Sequence, residues 1–306
     1  MRTRPARGSP GVFPERDFPC PSELRPALAA AVARGRERMA QRSVVICSLA
    51  RDAAEELRGL EARIDALAAS FREHRLIFFE NDSQDDTLEL LRAWQHRRPS
   101  LELLSERLGA PRWPHVRSPE RAEAMAAYRN RTLDRALACA ADADFLVVLD
   151  ADLADFCLDG IAHTVGQDGW DAVGSNGVQF RSCDGGPVRP ELFDTWALRD
   201  AGHPAPQPHG VLETRRYERG SALVPVLSCF GGLAVYRMEA IRSGARYGGP
   251  DCEHVVFHRR LADAGFGRIF LNPSQMTLYP PPARIAAVDA LARPLPTARP
   301  GAAPRP

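Results

Sequence analysis

The chain has 306 residues, 44% of them hydrophobic, and a formal net charge of +1 at pH 7. This nearly neutral balance argues against a nucleic-acid partner bound by phosphate neutralisation. The sequence contains no lysine, which excludes a Walker-type phosphate loop, a kinase-type strand lysine and Schiff-base chemistry.

The seven cysteines are scattered and never form a Cys-x-x-Cys pair, so we expect reduced, mostly buried thiols. No apolar run approaches the ~20 residues of a membrane span, and the N-terminus lacks the apolar segment of a signal peptide. These features predict a soluble cytoplasmic protein without a transmembrane segment.

Strands and helices are predicted to alternate along the chain. Continuous apolar runs indicate buried strands, and apolar residues at spacings of three and four indicate amphipathic helices. In chain order the predicted elements are a short helix at 22–39, a strand at 43–49, a helix at 57–71, a strand at 76–79, a helix at 87–95 and a strand at 101–104.

The second half of the chain is less regular. Ser118 followed by Pro119 is a good helix start, and this helix is predicted to reach Ala140 and to precede a strand at 145–149. Residues 177–219 are rich in Gly, Pro, Arg and Asp and predict long loops. Beyond them we expect ordered chain at 224–236, a helix at 253–264 and a strand at 268–271.

This alternation predicts an α/β fold with a Rossmann-like, mostly parallel central sheet and helices on both faces. We expect one domain at 41–287, made of two halves at 41–155 and 156–287. Residues 1–40 are expected to be a disordered or helical extension, and 288–306 a disordered tail, because both are rich in Pro and Arg.

Two carboxylates, Asp150 and Asp152, directly follow the predicted strand at 145–149. Residues two apart on a strand point the same way, so the pair can share one divalent cation. The alternative is a solvated loop or a helix cap. Polar residues follow two other predicted strands and are expected at the same sheet edge: Ser48, Arg51, Asp52, Glu80, Asn81, Asp82 and Ser83.

The order of these motifs resembles glycosyltransferases of the GT-A fold: strand then Arg-Asp, strand then Glu-Asn-Asp-Ser, Tyr-Arg-Asn-Arg on a helix, and strand then Asp-x-Asp. The segments 193–200, 227–232 and 251–254 also resemble the fungal capsule-associated mannosyltransferase family. The likeness covers about Ser43 to Tyr279. It implies a GT-A-like fold and transfer of a sugar from a nucleoside diphosphate to a hydroxyl group.

Donor-binding residues are predicted around the strand ends. The turn from Glu80 to Ser83 suits a base and ribose, although such residues are also common in turns and helix caps. Arg121 and Arg129 share one helix face, and an arginine facing the site suits a diphosphate, with a surface salt bridge as the alternative. The predicted donor-binding set is completed by Asn130, Asp150, Gly231 and Gly232.

The acceptor side is predicted from an aromatic residue with polar neighbours. Trp196 suits packing against a pyranose, and Asp194 and Arg199 suit binding of hydroxyl groups, with core packing as the alternative for Trp196. Glu253 is the predicted catalytic carboxylate, since this fold commonly brings an acceptor-side carboxylate to that place. Asp251 is the second choice, because an Asp just before a helix is more often an N-cap.

Carboxylate oxygens are ligands that hard ions prefer, so Asp150 and Asp152 are predicted to bind Mn²⁺ or Mg²⁺. His254 is a candidate third ligand. The expected donor is a GDP- or UDP-sugar, and the expected acceptor is a carbohydrate or another hydroxyl compound, with polysaccharide biosynthesis as one setting. Two alternatives stay open: a nucleotidyltransferase acting on sugar phosphates, and a non-catalytic protein that binds a nucleotide sugar.

Overall fold

The structure is a computed structural model that describes residues 18–113, 116–181 and 189–279. The predicted disordered tail at 288–306 lies outside these residues, as do residues 1–17 of the predicted N-terminal extension. Within residues 18–21, Phe18 and Cys20 are buried.

Helices and strands alternate from the first strand to the fourth, as predicted. The helices are α1 (Arg25–Met39), α2 (Ala54–Ala69), α3 (Thr87–Arg97), α4 (Pro119–Ala140), α5 (Leu158–Val165), α6 (Met238–Ile241) and α7 (Glu253–Asp263). The strands are β1 (Ser43–Ala50), β2 (Glu73–Asn81), β3 (Leu101–Glu106), β4 (Phe145–Asp150), β5 (Asp155–Phe156), β6 (Ala172–Arg181), β7 (Arg189–Leu192), β8 (Val224–Pro225), β9 (Leu233–Arg237) and β10 (Ile269–Leu278).

All strands of the described residues belong to one sheet, in the order β3-β2-β1-β4-β9-β6-β10-β5, with β7 beside β6 and β8 beside β10. Strands β3, β2, β1 and β4 are mutually parallel. Strand β9 is antiparallel to both of its neighbours, and β6 is parallel to β10. From β3 to β10, therefore, β9 alone runs against the common direction, and the predicted mostly parallel sheet is confirmed.

Both faces of the sheet are covered by helices, because the side chains of the buried strands alternate between two cores. In β1, Val44 and Ile46 belong to one core, and Val45 and Cys47 belong to the other. Helices α1, α2, α3 and α5 contribute to the first core, and α4, α6 and α7 contribute to the second. The prediction of helices on both faces is confirmed.

Helix α1 packs closely on α5 through glycine. A Cβ atom at Gly35 would lie 1.7 Å from the carbonyl oxygen of Ala162, and one at Gly166 would lie 2.1 Å from that of Ala31. Only glycine permits such an approach of two helix backbones. The segment before β1 is thus joined to the sheet through α5.

The sequence predictions were wrong for parts of the second half. Strand β7 and the last five residues of β6 (177–181) lie within the segment predicted as loops, and the two strands pair with each other. Strand β10 continues to Leu278, seven residues beyond its predicted end at 271. Its polar residues Asn272 and Gln275 are buried and hydrogen-bonded to α5 and β6, so a polar sequence conceals a buried strand.

Helix α4 begins as predicted. The hydroxyl of Ser118 accepts a hydrogen bond from the backbone N–H of Arg121, and Pro119 occupies the first turn. The cap fixes where α4 starts, and thereby which of its side chains reach the carboxyl edge of the sheet.

Candidate active site

A cleft of about 420 Å³ opens at the edge where β1, β2 and β4 end. This volume lies within the range of small-molecule sites, which is about 300–1,000 Å³. Residues of the strand ends, α2, α4, α7 and the end of β10 line it: Arg51, Asp52, Glu56, Asn81, Arg112, Trp113, Arg121, Tyr128, Arg129, Asp150, Asp152, Glu253 and Tyr279 among others.

Asp150 is held from three directions. Its Oδ1 atom accepts a hydrogen bond from Nη2 of Arg129 at 3.0 Å, and its Oδ2 atom accepts one from the hydroxyl of Tyr279 at 2.8 Å. Its backbone N–H donates to the carbonyl oxygen of Gly232. The orientation of this carboxylate is therefore determined before any ligand binds.

Asp152 lies in the same cleft and makes no ion pair or side-chain hydrogen bond with the described residues. Loss of solvent, and then the charge of Asp150, raises the pKa of Asp152 to about 7. Glu56 contributes to the same rise. The anionic form of Asp152 is thus poorly compensated by the protein, and a bound cation would stabilise it.

The carboxylate pair fits a divalent ion that takes its remaining ligands from a substrate. Among the described residues, no three His, Cys, Asp or Glu side chains converge on one metal position. Mg²⁺ sites that use one or two carboxylates are commonly completed by substrate phosphates and water. Asp150 and Asp152 would hold the ion in such an arrangement.

His254, the candidate third ligand, lies behind the cleft and does not line it. Its ring stacks on Phe230 with the ring centroids 3.7 Å apart, and it is 2% exposed. Burial, followed by the charge of Arg129, lowers the pKa of His254 well below its usual value. In this structure the neutral imidazole of His254 therefore packs against Phe230.

Arg129 connects the two sides of the site. Its Nε atom donates to Oε1 of Glu253 at 3.1 Å, its Nη2 atom donates to Asp150, and its guanidinium carbon lies 4.8 Å from the ring centroid of Phe230. Burial lowers the pKa of Arg129, but the charges of Asp150 and Glu253 outweigh it, and the net shift is upward. The third nitrogen, Nη1, is buried without a partner among the described residues. The sequence predicts Arg129 at a diphosphate, whereas here it orients two carboxylates.

Replacing Arg129 by Met should destabilise the protein by about 3 kcal/mol, because the buried Glu253 and the partly buried Asp150 lose their shared cation. Arg131→Met is the matched control on the same helix, since Arg131 pairs with Glu106 at a half-exposed position and should cost less than about 1 kcal/mol. Urea unfolding of both variants measures the difference. Equal small losses would show that Arg129 has no such role.

The structure separates the two acidic candidates near α7. Glu253 is the first residue of α7, is 4% exposed and lines the cleft. Asp251 lies outside the cleft lining, where its Oδ1 atom accepts hydrogen bonds from Nη2 of Arg199 and from the backbone N–H of Cys252. Arg199 also donates to the carbonyl oxygens of Trp196 and Leu198. Of the pair, only Glu253 is positioned to meet a ligand.

The turn after β2 mostly binds its own surroundings. Glu80 accepts hydrogen bonds from the backbone N–H of Ser83 and the hydroxyl of Ser105. Asp82 accepts from three successive backbone N–H groups of residues 108–110. Asn81 is the residue of this turn that lines the cleft, so it is the one placed to contact a base or ribose.

The residues after β1 lie at the same end of the cleft. Arg51 donates to the carbonyl oxygens of Ala110 and Pro111, and Asp52 accepts from the backbone N–H of Gln84. Both line the cleft. Ser48 lies deeper in β1, where its hydroxyl is buried and has no partner among the described residues.

Other predicted site residues support the walls of the site. Asn130 hydrogen-bonds both the backbone N–H and the carbonyl oxygen of Tyr247. Gly231 and Gly232 both have positive φ angles, and a Cβ atom at Gly232 would lie 2.7 Å from the hydroxyl of Tyr279. The backbone N–H of Gly231 donates to Asp194. Glycine at 232 thus leaves room for the tyrosine that holds Asp150.

Ionisation of the Asp194 carboxyl group should lower the stability of the metal-free protein as the pH rises. Burial, followed by the charges of Asp150 and Glu253, raises the pKa of Asp194 to about 7, against about 3.9 in an unfolded chain. Ionisation of Asp194 is therefore harder in the folded state than in the unfolded chain. Its contribution to the free energy of unfolding should fall as the pH rises from about 4 to about 7. Asp194→Asn should be more stable than the wild type at pH 8 and nearly equal at pH 4, in thermal unfolding with EDTA. A constant difference across this range would contradict the assignment.

The sequence analysis did not predict Tyr279, Glu56 or Trp113 as site residues, and it gave Tyr128 only as part of the Tyr-Arg-Asn-Arg motif. Tyr279 follows the part of β10 that lay beyond the predicted strand, and its ring stacks on Phe193 with centroids 3.5 Å apart. Recognition of the full strand would have placed it at the carboxyl edge of the sheet. Nothing in the local pattern of α2 distinguishes Glu56 from the other acidic residues of an amphipathic helix.

The six cysteines within the described residues are free thiols; Cys183 lies outside them. Across the described part of the chain, the helices all fall short of the length and apolar character that crossing a bilayer requires.

No protein-family model matches the sequence, and no curated protein matches it. The chain is similar to several solved structures. One is the mannosyltransferase PcManGT from Pyrobaculum calidifontis in complex with GDP-Man and Mn²⁺, with 16% identity over 86% of this chain and 68% of that one, at a TM-score of 0.49.

A second is GalNAc-T7 with UDP, GalNAc and Mn²⁺, with 12% identity over 90% of this chain and 56% of that one, at a TM-score of 0.49. A third is glucosyl-3-phosphoglycerate synthase from Mycobacterium tuberculosis with Mn²⁺, UDP and phosphoglyceric acid. It has 18% identity over 81% of this chain and 74% of that one, at a TM-score of 0.45. The chain thus spans little more than half of GalNAc-T7. At these identities the similarity concerns the fold alone.

Proposed function

We propose that this protein is a divalent-metal-dependent glycosyltransferase that moves a sugar from a nucleoside-diphosphate sugar to an acceptor hydroxyl group. The observation that carries the proposal is the carboxylate pair at the end of β4. One member, Asp150, is held rigidly, and the other, Asp152, forms no ion pair with the described residues at a cleft of small-molecule size.

Different residues of the site would bind the donor and the acceptor. Arg51, Asp52 and Asn81 would contact the nucleoside at the ends of β1 and β2. Asp150 and Asp152 would hold Mn²⁺ or Mg²⁺, which supplies neutralisation of the negative charge on the diphosphate leaving group. Arg129 and Tyr279 keep Asp150 oriented towards the cleft.

Glu253 is the proposed group that accepts the proton of the acceptor hydroxyl or stabilises the sugar during transfer. Its hydrogen bond with Arg129 fixes the position of its carboxylate. Trp196 and Asp194, on the acceptor side, would bind the sugar or the acceptor through an aromatic face and a carboxylate.

The finer predictions belong to the same proposal. They are a hexose donor carried on GDP or UDP, membership of the fungal capsule-associated mannosyltransferase family, a role in polysaccharide biosynthesis, and a cytoplasmic location. A single domain at 41–287, divided into donor and acceptor halves, is the proposed organisation.

A screen of GDP- and UDP-sugars by thermal shift, with and without Mn²⁺, tests the proposal. We expect at least one donor to raise the melting temperature in the presence of Mn²⁺, and the same donor to be consumed with release of nucleoside diphosphate. Pyrophosphate released in a separate assay with a nucleoside triphosphate and a sugar 1-phosphate would instead identify a nucleotidyltransferase, and binding without turnover would identify a non-catalytic protein. Absence of stabilisation by every donor would contradict the proposal.

A further inference from the structure

Four arginines line the cleft, and three of them already have partners. Arg51 donates to two backbone carbonyl oxygens, and Nε of Arg112 lies 3.5 Å from Oδ2 of Asp52. Arg129 is neutralised by Asp150 and Glu253, and its remaining nitrogen is closed off from solvent. Each of these three guanidinium groups thus already binds polar groups of the protein.

Arg121 differs from the others because it makes no ion pair and no side-chain hydrogen bond with any described residue. Its guanidinium carbon lies 5.4 Å from the ring centroid of Trp196. Its backbone is fixed by the cap of α4, through the hydrogen bond to Ser118. An arginine that stacks on an aromatic face keeps the N–H groups at its edge free for an anion.

The acidic residues of the cleft do not neutralise Arg121 either. Asp52, Asp150 and Glu253 each have an arginine partner. Asp152 lies near the carboxylates of Asp150 and Glu56, whose charges raise its pKa, on the side proposed for the cation. The cleft therefore presents uncompensated negative charge at one place and an uncompensated guanidinium at another.

We propose that Arg121 binds an anionic group of a substrate, a phosphate or a carboxylate. This inference rests on the proposed function and assigns a residue that sequence spacing alone does not distinguish from Arg129. The anion belongs either to the diphosphate of the donor or to an acceptor that carries a phosphate or carboxylate. Arg121 is a binding residue, and Trp196 positions it.

The test compares wild-type protein with Arg121→Gln and with Arg92→Gln, which removes the same charge from an exposed position of α3. Calorimetry measures the affinities for UDP and GDP with Mn²⁺, for inorganic pyrophosphate, and for glycerol 3-phosphate added to protein saturated with the nucleotide and Mn²⁺. Arg121 makes no hydrogen bond or ion pair through its side chain with the described residues, so we expect both variants to keep the wild-type melting temperature.

We expect Arg121→Gln alone to weaken anion binding by about tenfold to a hundredfold, the effect of one charge-assisted hydrogen bond. Weaker binding of UDP or GDP assigns the anion to the donor. Unchanged nucleotide binding with loss of glycerol 3-phosphate binding assigns it to the acceptor. Equal affinities of wild type and Arg121→Gln for all probes would overturn the inference.

The outcome is separable from that of the proposed function. If wild-type protein binds neither UDP nor GDP with Mn²⁺, the proposed function fails. The affinities of the same three proteins for pyrophosphate then still decide whether Arg121 binds anions.

Discussion

Replacing Asp152 by Asn should lower sugar transfer by about a thousandfold or more while the protein stays folded. Asn keeps the shape of the side chain but removes the anionic ligand that a divalent ion requires, and a loss of ~4 kcal/mol of transition-state stabilisation corresponds to three orders of magnitude. Asp152 makes no side-chain hydrogen bond with the described residues, so the substitution should not disrupt packing. Release of nucleoside diphosphate and the far-ultraviolet circular dichroism spectrum are the measurements.

Asp142→Asn is the matched control, because Asp142 is exposed and follows α4 at the opposite edge of the sheet. It should leave transfer at the wild-type rate. The binding of Mn²⁺ provides a second measurement that does not depend on activity, and Asp152→Asn should weaken it while Asp142→Asn should not. Full activity of Asp152→Asn, or full activity of the wild type in excess EDTA, would eliminate the cation from the mechanism.

Replacing Glu253 by Gln should lower the transfer rate by about a hundredfold or more, the usual contribution of a general base. The amide oxygen of Gln can still accept the hydrogen bond from Nε of Arg129, so the wall of the cleft should persist. Donor affinity should stay near the wild-type value, because the proposed donor contacts come from β1, β2 and β4. Single-turnover rates together with the affinity for the nucleoside diphosphate separate these two effects.

Asp251→Asn is the comparison for Glu253→Gln. Its side chain binds the buried guanidinium of Arg199 and the start of α7 outside the cleft lining. Its loss should therefore cost about 3 kcal/mol of stability, because Arg199 loses the partner of a buried charge, and little of the transfer rate. The opposite pattern, a stable but inactive Asp251→Asn beside an active Glu253→Gln, would move the catalytic role to Asp251.

Much of the fold could be predicted because the signals are local. Strands β1, β2 and β4 are continuous apolar runs, α2 and α3 show helical periodicity, and Ser118 with Pro119 marks the start of α4. Strands β6 and β10 were missed or shortened. Their glycines and polar residues resemble loop sequence, and only the neighbouring strands and α5 bury and hydrogen-bond them.

The local sequence by itself determined that two carboxylates end a buried strand, since Asp150 and Asp152 are neighbours on the chain. It did not determine which arginine of α4 meets a ligand. Arg121 and Arg129 lie on one helix face with the same chemistry. Glu253, which lies 124 residues beyond Arg129, forms an ion pair with the guanidinium of Arg129. Trp196 contacts only the face of the Arg121 guanidinium and leaves its edge open. Only the tertiary structure decides this, because an arginine's charge is available to a substrate only where no carboxylate distant in sequence has already neutralised it.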